Sequence, residues 1–486
     1  MKTNVKEELV PTQSSIELVS KNDNQSSKKP VDTETSVNEF DKDFNWDQED
    51  PWLGVDVETG YVKMSKPQPK PNAPHNEAFY LMYKSRNIEN PKVLVCMVGG
   101  PGICVMSKTF GRFNPLLINE EKKCLEHNPA SITDDYHIIY IECPVGSGFS
   151  IAYKENMVLD YATLGLNAVE LFEDVFRKNP YLAKADFFFN GESFCGLSLP
   201  QTVQALRRDL KISLKGVVLE CHVCNLVEQQ CSGKYQLAQL EQYKLWNNGC
   251  HKCCCHFCVG YAACCYSMGC IGFGLMEVAY YLPWMCPGGS WMSSRPAKCR
   301  LSDEVKDTEF VKNGLTNLTK QDPNDDTKMR TEDACKGISL AVETLVTTKK
   351  FAEMIGAKKS VTTCGGGAAT IDIIDHDLKT NSNDIQAGWI TEGISFLINT
   401  GEGDYIVPWK SVYDQLEKHW TFAGKKEFLQ QEWELHEQKL EDPTFYQSKK
   451  VGSFEWRRIA GSGHLIFDDF PEFHGRYIRE FMDQHY

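Results

Sequence analysis

The stretch DFFFNGESFCGLSLP, residues 186–200, constrains the fold more than any other part of the chain. Three consecutive phenylalanines predict a strand buried on both faces, because successive side chains of a strand point opposite ways. The run stops at Gly191-Glu192-Ser193-Phe194-Cys195-Gly196. That is the pattern of a sharp strand-to-helix corner, with a serine hydroxyl held at its apex and flanks too small to clash. Amides at the start of the next helix can then stabilise an oxyanion. Gly-x-Ser alone also fits an ordinary turn, so the rest of the chain decides.

The surrounding chain repeats the design. EAFYLMYKS alternates as a strand, and KVLVCMV is an apolar run that ends in the tight loop Gly99-Gly100-Pro101-Gly102. HIIYIECPVGSGFS is again a buried strand followed by a glycine loop, and YATLGLNAVELFEDVFRKNP has helical periodicity up to its proline. KGVVLEC supplies another strand, as do ISFLINTG and EWRRIA near the C-terminus. Strands alternating with helices predict an α/β fold with a mostly parallel central sheet, helices on both faces and ligands at the strands' C-terminal edge. Between residues 222 and 385 the alternation fails, so that segment is expected to be a lid inserted between sheet halves 48–221 and 386–486. Residues 1–47 are polar and poor in aromatics, the composition of a disordered tail.

Composition narrows the partners. A formal net charge of -14 argues against nucleic acid and anionic membrane surfaces as general partners. Of 20 cysteines, twelve lie between Cys221 and Cys286, densest in CHKCCCHFC. Disulfides, reduced packing and metal binding all fit such a cluster, but adjacent cysteines rarely converge on one ion, so no metal is expected. Phe257–Met276 carries no charge, yet it lies mid-domain, is interrupted by small residues and is closed by Glu277. A membrane span is therefore not expected. The N-terminus shows no apolar signal segment.

A corner serine needs a base, and the base needs an orienting acid. In this architecture they follow in the order serine, acid, histidine, each after a strand. Asp404 follows ISFLINTGEG, and His464 sits between glycines in AGSGHLIF. The oxyanion donors would be the Phe194 amide and one from Gly99 or Gly100. Each piece has a plainer reading: Ser193 as a turn residue, Asp404 as an Asx-turn, His464 as a satisfied surface histidine. All of them in this order, each after a buried strand, favour a catalytic set of Ser193, Asp404 and His464.

The blocks GYVKM, AFYLMYKS, VGGPG, NPASI, ECPVGSGFS, NGESFCG, GEGDYIVPW and GSGHLIFDDFP, in this order, resemble those of the serine carboxypeptidases. The resemblance implies an α/β-hydrolase fold, a cysteine-bonded insertion above the site, and the catalytic roles already given for Ser193, Asp404 and His464. No cofactor is implied. The substrate would be a peptide losing its C-terminal residue, or a small acyl compound if the chain follows the family's acyltransferase-like members. A non-catalytic protein reusing the fold is a third reading. Resemblance points to vacuole, lysosome or secretion, the visible N-terminus to the cytosol; oligomeric state is not legible.

Departures cluster in the shell that reads the substrate's carboxylate, where the resemblance places Glu192. Val98 stands where the family has an asparagine, and Arg112 where it has a glutamate. Ile132 replaces a tryptophan, and Glu142-Cys143-Pro144 an Asp-Gln-Pro. Three placements of Arg112 stay open: beside Glu192 with its guanidinium fork offered to a carboxylate in place of the amide lost at Val98, salt-bridged to Glu192 so that the subsite is closed, or pointing to solvent.

Overall fold

The computed structural model describes residues 52–230 apart from 68–73, 120, 154 and 155; 345–361; 377–484 apart from 378, 405, 406 and 439–443; and the single positions 44, 50, 342 and 373. In chain order the strands are β1 (Val57–Lys63), β2 (Glu77–Tyr83), β3 (Lys92–Met97), β4 (Leu116–Asn119), β5 (Cys124–His127), β6 (Tyr136–Ile141), β7 (Asp186–Glu192), β8 (Ser213–Glu220), β9 (Ser395–Gly401), β10 (Glu434–Gln438), β11 (Thr444–Val451) and β12 (Phe454–Ile459). Ten of them make one sheet in the order β1-β2-β6-β3-β7-β8-β9-β12-β11-β10, while β4 and β5 pair separately. From β6 through β12 the neighbours run parallel, and antiparallel pairs close both margins. The expected mostly parallel sheet is present.

The phenylalanine run explains itself in three dimensions. Phe187 and Phe189 enter one apolar cluster, Phe188 the cluster on the opposite face, and all three are buried. The first cluster takes α1 (Tyr161–Lys178) and α2 (Cys195–Asp209), through Leu164, Phe172, Val203 and Leu206. It also takes α3 (Asn383–Thr391) and α4 (Trp409–His419), through Trp389, Val412 and Leu416. Near the C-terminus lie the short α5 (Ile466–Asp469) and α6 (Pro471–Gln484); α6 covers the second face with Phe473, Tyr477, Ile478 and Phe481. Burying both faces drives assembly, at roughly 25 cal/mol per Å² of apolar surface. Local signals place the ends: the Asp160 side chain accepts from the Thr163 amide at 2.7 Å, and α1 stops at Asn179, just before Pro180.

Parallel strands bring their C-terminal ends to one edge. That edge carries the Gly99 loop after β3, Ser193 after β7, Cys221 after β8, Asp404 after β9 and His464 after β12. The chain leaves the sheet after β8 and returns through α3, and the two ends are tied together. The Ser382 amide donates to the Cys224 carbonyl at 2.9 Å, and His222 Nε2 meets Gln386 Oε1 at 3.0 Å. Most of that segment, with CHKCCCHFC and Phe257–Met276, lies outside the described residues. No helix among the described residues is long and apolar enough to cross a membrane. Phe44, within the stretch read as tail, is buried in the second cluster.

Candidate active site

Ser193 occupies the corner that its neighbours dictate. Its φ is +59°, a left-handed conformation that a non-glycine residue adopts only under tertiary constraint. The constraint is visible: the Ser193 amide donates to the Glu220 carbonyl at 2.9 Å, and the Ser193 carbonyl accepts from the Val223 amide at 2.9 Å. The flanks must be glycine. A Cβ on Gly191 would lie 2.8 Å from Cys195 Cβ, and one on Gly196 would lie 2.3 Å from the Val223 carbonyl oxygen. The Gly99 loop packs straight onto this corner, since a Cβ on Gly99 would lie 2.6 Å from the Phe194 amide nitrogen and 2.8 Å from Ser193 Cβ. Gly100 follows at φ +114°, a conformation glycine alone adopts readily. The loop expected to supply an oxyanion donor is thus in contact with the elbow, and Val98 is buried just behind it.

Asp404 and His464 come together from two strands, β9 and β12, which pair in parallel. His464 Nδ1 lies 2.8 Å from Asp404 Oδ2, and both residues are buried. The other carboxylate oxygen, Oδ1, accepts from the Val407 amide at 2.9 Å. Burial alone would push the imidazole's pKa down, but the charge and hydrogen bond of Asp404 outweigh it and hold His464 above its ordinary value. Ser193 and His464 share neighbours through Cys221, which follows the Glu220 that holds the elbow. The Cys221 thiol donates to the Gly463 carbonyl at 3.6 Å and accepts from the Gly401 amide at 3.4 Å. Ser193 Oγ makes no direct hydrogen bond to His464 in this structure.

Cys221 was not singled out by its sequence position. Its thiol, the Asp404 carboxylate and the His464 imidazole lie within 4.8 Å of one another, a donor set able to hold a soft divalent ion. An ion there would take the place of the proton between Asp404 and His464.

Of the placements open to Arg112, the structure takes the outward one. Arg112 does not face Glu192: its Nε lies 2.8 Å from Glu472 Oε1, both partly exposed, and its backbone packs against Gly475 of α6. The cation beside Glu192 is Lys108, with Nζ 2.5 Å from Oε2. Lys108 follows the Gly99 loop at the end of a short 3-10 turn, Val105–Lys108, and is 3 % exposed. Its ammonium also lies 3.8 Å from Glu220 Oε2 and 4.4 Å from the centre of the Phe467 ring. Burial would lower the lysine's pKa, but Glu192 and Glu220 overcome that and raise it. Glu220, also fully buried, would be raised by burial, yet His474, Lys108 and the Tyr477 hydroxyl bring it down to about 2. Glu402 pairs with Arg458, whose guanidinium lies over Trp409 at 4.0 Å. Glu142 stays inside, accepting from the Val105 amide at 3.2 Å and the Cys104 thiol at 3.3 Å. Burial pushes it up to about 7.

Seven cysteines are described, Cys96, Cys104, Cys124, Cys143, Cys195, Cys221 and Cys224, and all are free thiols. The pairing expected in the lid concerns residues outside the described ones, apart from Cys224.

Residues 48–484 match the family model of serine carboxypeptidases. Similar proteins include carboxypeptidase Y homolog A of Pyrenophora tritici-repentis, 22% identical over 431 residues that cover 81% of this chain and 69% of that protein. The Ajellomyces dermatitidis protein of the same name is 25% identical over 452 residues, 86% of this chain and 73% of the relative. Among solved structures, the prohormone-processing carboxypeptidase Kex1(Δ)p of Saccharomyces cerevisiae superposes with a TM-score of 0.62 at 15% identity. It covers 90% of this chain and 93% of that one, a likeness of fold.

Proposed function

Because the chain belongs to the serine carboxypeptidase family, we propose that it hydrolyses the C-terminal peptide bond of its substrates through Ser193, His464 and Asp404. The observation that carries this reading is the buried Asp404–His464 pair on the sheet edge that also holds the strained Ser193 corner. With Nδ1 engaged by Asp404, the imidazole presents Nε2 as the proton acceptor. Ser193 Oγ attacks the scissile carbonyl and gives its proton to Nε2. The carbonyl oxygen becomes an oxyanion, within reach of amides at Phe194 and the Gly99-Gly100 loop. Collapse of the tetrahedral intermediate expels the C-terminal residue as its amine, which takes the proton from His464. Water then repeats the sequence on the acyl-enzyme and releases the shortened peptide.

A fluorophosphonate probe, which esterifies only an activated serine, tests this reading. The native chain is expected to label stoichiometrically and Ser193→Ala not at all. Equal labelling of both proteins would remove Ser193 from the role.

A further inference from the structure

A substrate that ends one residue beyond the scissile bond carries its carboxylate that single residue away from the carbonyl that Ser193 attacks. Whatever reads the carboxylate must therefore lie beside the elbow. Lys108 meets this condition. Its ammonium is 2.5 Å from Glu192, the residue bonded to Ser193, and 4.4 Å from the ring of Phe467, three residues after His464. Lys108 and Glu192 both enter the charge environment of His464. Arg112, the cation suggested by the sequence, is turned away to Glu472.

The groups around the ammonium leave it capacity. An ammonium has three donors, and one is spent on Glu192. Glu220, at 3.8 Å, is beyond hydrogen-bond distance and has its own partners, His474 at 3.2 Å and the Tyr477 hydroxyl. From β3 the buried thiol of Cys96 also faces the lysine. In surroundings this dry a single positive charge acts on a nearby anion far more strongly than at a surface. It also balances Glu192, without which an incoming carboxylate would meet a like charge.

We propose that Lys108 is the specificity-determining cation of the site, its ammonium shared between Glu192 and the substrate's C-terminal carboxylate. The inference rests on the hydrolase reading above. Removing the charge leaves the incoming carboxylate facing Glu192 and Glu220 with nothing to offset them, whereas a substrate ending in a carboxamide meets no such repulsion.

The experiment follows cleavage of one peptide bond in two substrates, an N-acylated dipeptide with a free C-terminal carboxylate and the same dipeptide ending in a carboxamide. The readout is the ratio of their kcat/KM values. The unmodified protein should favour the free acid, and Lys108→Met should lower the ratio about a hundredfold, the scale of losing one partner of a buried charge pair. Lys108→Arg, which keeps the charge, should recover most of the ratio. Equal losses on both substrates, unrepaired by Lys108→Arg, would make Lys108 a prop for the elbow and overturn the proposal. Should Lys108→Met not fold, the unmodified protein still decides: no preference for the free acid overturns the inference while leaving the hydrolase reading intact. Cleavage of neither substrate overturns both.

Discussion

Asp404→Asn is expected to lower kcat by about 10^4-fold with little change in fold, the scale seen when a serine hydrolase loses its orienting carboxylate. The asparagine is nearly isosteric, and its amide oxygen can still take the Val407 amide now held at 2.9 Å by Oδ1. What changes is the atom facing His464. An amide NH2 there donates instead of accepting, so the imidazole must turn its unprotonated nitrogen inward and its N–H toward Ser193. The base is then protonated on the wrong side. A second signature separates this account from misfolding. In the proposed reaction His464 must be neutral to accept a proton, and Asp404 holds its pKa above the ordinary value against the opposing pull of burial. Activity is therefore lost as pH falls through that raised value. Without the carboxylate's charge the value drops, so residual activity in Asp404→Asn should persist to lower pH than in the parent. A pH–kcat/KM profile of both proteins checks it. A variant within tenfold of the parent, or an unmoved acid limb, would remove Asp404 from the relay.

The parts of this arrangement that were legible in the sequence are those in which a short stretch decides its own geometry. The run at 187–189 is apolar at every position because β7 is buried on both faces, and Gly191 and Gly196 are required within a few residues of the serine they flank. β10 and β11 were not legible, because strands at a sheet margin carry polar side chains such as Glu434, His436 and Lys450 along with apolar ones. The charge cluster was hidden for another reason. Lys108, Glu192, Glu220 and His474 are scattered over most of the chain and meet only because parallel strands stack their ends. Matching Arg112 to a family glutamate could not tell whether its side chain turns toward Glu192 or away from it. Lys108, four residues earlier at the end of its 3-10 turn, takes the inward position, while Arg112 packs at α6. A local signal for Lys108 did exist, a lone charge in the apolar stretch Ile103–Phe110, and for Glu220 likewise at the end of VVLE. Neither says which partner it will find.

The contact between the Asp404 and His464 loops should be the most sensitive backbone position in the site. Gly401→Ala is expected to destabilise the protein by about 3 kcal/mol, the upper end for overpacking a filled interior. It should also lower kcat by roughly a hundredfold or more, as ångström-scale displacement of catalytic groups does. A Cβ on Gly401 would lie 2.1 Å from the Gly463 carbonyl oxygen and 2.7 Å from that of Ser462. Those are backbone atoms of the loop that carries His464, so no rotamer change relieves them. The same loop is tied back by the Gly403 amide donating to the Ser462 carbonyl at 2.8 Å, and by the Cys221 thiol between Gly401 and Gly463. Pushing the loops apart must therefore stretch these bonds or shift His464 from its 2.8 Å contact with Asp404. Gly388→Ala provides the comparison. That glycine lies inside α3 with nothing within 4 Å of a new Cβ, so the exchange should stabilise by about 0.5–1 kcal/mol through helix propensity. Urea melts and steady-state rates of the two variants give the result. If Gly401→Ala melts with the parent and keeps its rate, the acid and base loops are not held at the separation described for them.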